Sequence, residues 1–286
     1  MDPRALVLVL VAAVAHASWN LLSKRAARAD SLVFIWLAAA VSTVVWSPLF
    51  VGFLLVARPR LSWLDLAVIA GSTALHLGYF VLLQRGYGHG DLSVVYPVAR
   101  GTGPVLASLI AVLFLGEQPG PAAIAGLVLV GAGVFLLSGG AGRADLKGLA
   151  FGLATGLFIA GYTVWDSRVV GAFAVAPLML NYLGEVGRAL ALSPAVLGRR
   201  RRGLIMATWR EHRVPVLGAA VLGFVSYLLV LIAFTMAPVY LVAPAREISV
   251  LIAVVLGGRL LAEQGLRHRL LAAGVILGGI VAIALS

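Results

Sequence analysis

The sequence predicts an all-α membrane protein of ten transmembrane helices, arranged as two inverted five-helix repeats. Three observations carry this. First, 62% of the 286 residues are hydrophobic and 12% are charged, and the mean hydropathy is +1.04. No soluble domain can bury that much apolar surface. Second, the apolar runs are continuous and about 20 residues long, the length of a membrane-crossing helix. Barrel strands would alternate and need only about 10 residues each. Third, the chain matches itself at an offset of 146 residues: Arg100 falls on Arg246, Ala99 on Ala245, Ala107 on Ala253, Glu117-Gln118 on Glu263-Gln264, Trp19 on Trp165, Asn20 on Asp166 and Gly133 on Gly279. One offset that holds from the start to the end of a unit marks an internal repeat. Five crossings is an odd number, so the second copy enters the membrane in the opposite sense. The repeats are residues 1–140 and 141–286.

The first span, 4–24, has an Ala15-His16-Ala17 sequence like a signal-peptidase site. Its n-region charges, Asp2 and Arg4, cancel, and the segment is the repeat counterpart of the sixth span, so it is expected to be retained. His16, Asn20 and Lys24 follow at four-residue steps on one face. The second span is 31–56. The third, 62–85, places His76, Tyr79 and Phe80 on a common face. The fourth, 92–115, carries Arg100 about 12 Å from its start at 1.5 Å per residue, with Tyr96 a turn before and Gly103 nearly a turn after. Pro97 and Pro104 each remove a backbone donor there, and carbonyls freed at membrane depth require a cavity or a partner.

The fifth span, 119–138, is marked by Gly126, Gly131 and Gly133. With "GVILG" (Gly274–Gly278) in the tenth, these point to close packing of spans five and ten. The sixth, 146–166, ends in Trp165 and Asp166. The seventh, 172–196, holds Asn181, Glu185 and Arg188 on one polar stripe. The connection "GRRRRGLIMATWREHR" precedes the eighth span, 214–236. The ninth, 239–261, carries Arg246 and Glu247, and the tenth is 266–285. Taken by side, the connections hold 14 Lys and Arg against 4. The positive-inside rule then places both termini outside.

Other classes drop out. Cys is absent, which excludes disulfides and thiolate chemistry. There is no phosphate-binding Gly-rich loop, no metalloprotease helix motif and no nucleophile elbow, so the chain is expected to be neither an ATPase nor an enzyme, and to need no cofactor or metal. The net charge of +11 lies mostly at the ends of apolar runs, as topology signals do, so nucleic acid is not expected as a partner.

In its two five-span halves, in "HASWNLLSK" (His16–Lys24), in "LGEQ" and "LAEQ" after the fourth and ninth spans, and in "YPVARGTGPV" (Tyr96–Val105), the chain resembles the EamA-type drug/metabolite transporter superfamily. The resemblance covers nearly the whole length. It implies a secondary carrier of small metabolites with a cavity lined by spans 1, 3, 4, 6, 8 and 9, and cytoplasmic termini, the reverse of the charge count. It implies no particular substrate. The ninth span departs from its partner: "VAPAREISV" stands for "YPVARGTGP", with Glu247 in place of a glycine.

Arginines at mid-bilayer face an interior or a wet cavity. Arg100 and Arg246 are therefore either cations for an anionic substrate group, matched by the guanidinium fork, or structural partners of Glu185 or Glu247. With Tyr96, Trp19, Asn20, His76 and Trp165 they form the expected substrate site. Glu185 and then Asp166 are the expected proton-coupling residues, with pairing of Glu185 to Arg188 as the alternative. The leading expectation is alternating-access transport of an anionic or zwitterionic metabolite: an amino acid, an organic acid or a phosphonate. The alternatives are a proton-coupled exporter of cationic or lipophilic compounds and a flippase of a lipid-linked sugar. The expected setting is the lipid bilayer of a bacterial inner (cell) membrane, as a monomer or homodimer.

Overall fold

The computed structural model describes residues 1–26, 29–89, 92–137, 146–249, 252 and 266–285. Every regular element among them is helical. In chain order these are α1 (Pro3–Lys24), α2 (Ser31–Ala57), α3 (Trp63–His89), α4 (Leu92–Leu115), α5 (Pro121–Leu137), α6 (Leu146–Gly171), α7 (Pro177–Leu197), α8 (Arg202–Phe234), α9 (Val239–Ala245) and α10 (Leu266–Ala284). They fall on the ten expected spans. Among the described residues, six stretches are long and apolar enough to cross a membrane: Pro3–Ser23, Ser31–Ala57, Trp63–Leu83, Val98–Leu115, Leu146–Gly171 and Arg202–Phe234. The outward surface suits lipid. Val44, Leu55, Val56, Phe114 and Leu271 are each at least 70% exposed, a pattern that water would penalise and acyl chains do not.

One span differs from expectation. α8 begins at Arg202, so most of the arginine-rich connection is helix. Ile205 and Trp209, four residues apart, pack beside Val33, Leu37, Val196 and Val216, and this contact holds the extra turns. A bend at His212 (φ −122°, ψ 25°) separates them from the span proper. The ninth span is described only at 239–249 and 252. Ala253, Glu263 and Gln264 lie outside the described residues.

Local chemistry sets the helix ends. Asp2 accepts from the Arg4 N–H at 2.7 Å, with Pro3 in the first turn. Asp30 accepts from the N–H groups of Leu32 (3.0 Å) and Val33 (3.2 Å) and also meets Arg201 Nε at 3.1 Å. Such side chains satisfy amides that have no partner within the helix. Gly116, at φ +71°, ends α4 in a conformation that favours glycine.

The helices pack mostly across the two halves. α4 and α3 lie on α6, α1 lies on α8 and α9, α2 on α7, α5 on α10, and α4 on α9. Exchanging each helix with the one five places away maps most of these pairs onto one another, as a two-fold relation between halves requires. Within the α5–α10 contact the close approach is at Gly126 and Gly279. A Cβ on Gly126 would stand 2.5 Å from the Gly279 carbonyl oxygen, and one on Gly279 would stand 2.7 Å from that of Gly126. Gly274 and Gly278 face open space, so the "GVILG" pair is not the packing surface. Glu117 joins the halves at one end: its carboxylate accepts from Val239 N–H at 2.8 Å and Tyr240 N–H at 3.1 Å, capping α9.

α8 contains a π-turn at Ala219–Gly223. Such a turn breaks the regular ladder and leaves carbonyls to be met from outside. The Trp46 indole donates to Ala220 O at 3.2 Å, and the Asn181 amide donates to Phe224 O at 3.0 Å. The Asn181 half of the expected polar stripe is therefore a helix–helix bond.

Candidate functional site

Arg100 lies in mid-α4, directed inward between α1 and α9. Its guanidinium stands 3.1 Å from His16 Nε2 and 3.8 Å from Glu247 Oε1. Arg246 ends α9 at a turn that also includes Glu247; helix resumes at Ile248–Ser249. The turn keeps its own backbone bonds, Arg246 N–H to Val242 O at 3.2 Å and Glu247 N–H to Pro244 O at 3.0 Å. Arg246 places its guanidinium 5.8 Å above the Tyr227 ring, a favourable cation–π arrangement. Arg100 and Arg246 line one small cleft together with His16, Ser226 and Ser249. Glu247 is 2% exposed. This buried carboxylate interacts electrostatically with both guanidinium groups.

His16 is held between donors. Arg100 approaches Nε2, and the Trp19 indole approaches Nδ1 at 3.3 Å. Guanidinium and indole groups only donate. A neutral imidazole has a single acceptor nitrogen, so one of the two contacts sets N–H against N–H. Asn20 donates to the His16 carbonyl oxygen at 2.8 Å. Trp19 and Asn20, expected at the substrate, instead surround His16 and are not among the residues lining the cleft.

A second small cleft lies between α3, α7 and α8, lined by Ser72, Thr73, His76, Asn181, Arg188 and Tyr227. His76 therefore belongs to this second space, not to the one that holds the two arginines. Behind it is Asp166, fully buried, whose Oδ2 accepts the Tyr227 hydroxyl and stands 3.9 Å from His76 Nε2. His76 stacks on Tyr162 at 4.2 Å and meets the edge of Tyr227 at 5.3 Å. Tyr227 is the wall between the clefts: its hydroxyl reaches Asp166 and its ring carries Arg246.

The remaining expected residues are placed as follows. Glu185 meets Arg188 at 2.7 Å. The Trp165 indole donates to Val68 O at 2.8 Å, with the ring against Gly71, so Trp165 joins α6 to α3 and lines neither cleft. Gly103 faces Ile159 of α6. The side chain of Tyr96 lies outside the described residues. His16, Ser226 and Ser249 line the first space and Tyr227 the second, Glu247 lies buried beside Arg100, and none of these was among the expected site residues. The sequence held one signal for two of them: Ser226 and Tyr227 are adjacent polar residues in the apolar run "VLGFVSYLLVLIAF".

Residues 3–139 match the model of the EamA-like transporter family. No curated protein matches the chain. A solved crystal structure covers 98% of this chain and 96% of its own, with a TM-score of 0.77 at 19% identity. At that identity the likeness is one of fold.

Proposed function

We propose, on the premise that residues 3–139 belong to the EamA-like transporter family, that this integral membrane protein is a secondary carrier of a small anionic or zwitterionic metabolite. Amino acids, organic acids and phosphonates are the fitting classes. The observation that carries the proposal is the convergence of Arg100 and Arg246, one from each half, on a single cleft. A carboxylate or phosphonate accepts from a guanidinium fork in bidentate fashion. It also supplies an acceptor beside His16, where two donors now compete. Release to either side follows from rocking of the halves about the cleft, the alternating-access scheme of two-repeat carriers. The proton-coupled exporter centred on Glu185 has less support, because Glu185 is engaged with Arg188.

The test is thermal stabilisation of the purified protein by a panel of amino acids, organic acids, phosphonates and organic cations, since a ligand that binds the folded state raises its stability. Anions are expected to stabilise it. Arg100→Gln weakens the best of them by about 2–5 kcal/mol, the range for losing one partner of a buried charge pair. Arg100→Lys keeps the charge, loses the planar fork and weakens binding less while still folding. Stabilisation by cations alone, or equal anion affinity in folded Arg100→Gln, overturns the reading.

A further inference from the structure

The group behind the second cleft has a hydrogen-bond pattern that is one proton short. His76 Nδ1 stands 2.9 Å from the Ser72 carbonyl oxygen. A carbonyl only accepts, so Nδ1 carries the hydrogen and Nε2 of a neutral ring presents its lone pair. That lone pair faces Asp166 Oδ2 at 3.9 Å. An ionised carboxylate there would set acceptor against acceptor in a fully buried site. Among the described residues, no Lys or Arg forms an ion pair with Asp166.

We propose that His76 and Asp166, whose facing atoms stand 3.9 Å apart and so beyond a direct hydrogen bond, bind one exchangeable proton as a unit, and that this pair is an intramembrane proton-binding site. The proton enters as water reaches His76 through the second cleft. It forms one O–H or N–H bond and leaves by the same route, with no other bond changed. The Tyr227 hydroxyl donates to the same Asp166 oxygen and orients the carboxyl. The other groups that face Asp166 are Ser72 of α3, Arg246 of α9 and Arg188 of α7, and Tyr162 backs the imidazole. The site differs from Glu185, whose charge is matched by Arg188 on its own helix. Its link to the arginine cleft is Tyr227, under the Arg246 guanidinium. Only the consequence for transport rests on the anion reading; proton binding stands without it.

The test is infrared difference spectroscopy of the full-length protein between acid and alkaline pH, with the proton as the only ligand. Wild type is expected to show a protonated-carboxyl C=O band that titrates. The band persists in Glu185→Gln and is lost in Asp166→Asn. His76→Gln keeps the acid and removes its partner, and should move the midpoint by roughly tenfold or more in proton concentration. Should Asp166→Asn fail to fold, His76→Gln decides: a moved midpoint supports the site and an unmoved one overturns it. Absence of the band in wild type overturns it, as does survival of the band in folded Asp166→Asn or its loss in Glu185→Gln. Because no substrate is used, failure here leaves the arginine cleft untouched.

Discussion

Glu185 and Arg188 lie one turn apart on α7 and meet at 2.7 Å, so each neutralises the other. Removing one leaves the other as an uncompensated charge. Glu185→Gln should therefore cost on the order of 3 kcal/mol of stability, and Glu185→Gln with Arg188→Gln should recover part of that. Thermal denaturation of the two single variants and the double variant checks this; strictly additive losses would dissolve the pair. Asp30 offers a pH test outside the membrane spans. Burial pushes its carboxyl up, but the Val33 amide and the Arg201 guanidinium together outweigh that and hold it below the usual carboxylate range. A depressed carboxyl contributes stability above the unfolded value, near pH 4, and loses it as the pH falls through the folded value. Asp30→Asn keeps a capping side chain and loses the ion pair, so its acid limb of stability against pH should be shallower. At neutral pH the cost should be at most about 1 kcal/mol. An unchanged acid limb would show that Asp30 contributes nothing there.

At the scale of the element, the α5–α10 contact depends on two glycines and the exchange of close backbone approach. Gly126→Leu places a branched side chain where the Gly279 carbonyl already stands and should destabilise by about 1–3 kcal/mol, the usual cost of overpacking. Gly278→Ala, on the open side, should be neutral or stabilising, because alanine favours the helix. Equal losses from the two would mean that the glycine pattern carries no packing information. The ten elements were legible in the sequence because lipid-length apolar runs announce themselves. The start of α8 was not. Four consecutive arginines read as a loop, and what makes the segment helical is the seating of Ile205 and Trp209 on residues of α2, α7 and α8 itself, a contact visible only in three dimensions. The glycine motif misled for a related reason: GxxxG spacing gives a face, but not the direction in which that face points.

Across the whole molecule, charge was the legible part of the site. Arg100 and Arg246 stand out because an arginine in an apolar helix has no cheap surroundings, and both do line one cleft. The uncharged partners were not legible. His16 was visible only as one polar residue on a face with Asn20, and the pair His76–Asp166 spans 90 residues of sequence between α3 and α6. Trp19 and Trp165, matched by the repeat, have different roles: one donates to a side chain on its own helix, the other to a backbone on α3. Sequence symmetry therefore predicted position better than duty. The carboxylate of Glu117 adds a mechanical consequence. It grips the first amides of α9 from the far end of α4, so the helices bearing the two arginines are hinged together at that end. Arg100 is 15 residues up the lever from Leu115, roughly 22 Å at 1.5 Å per residue. Glu117 thereby fixes the spacing of α4 and α9 at that end, so a change in the separation of the arginines has to arise in the parts of these helices that it does not hold.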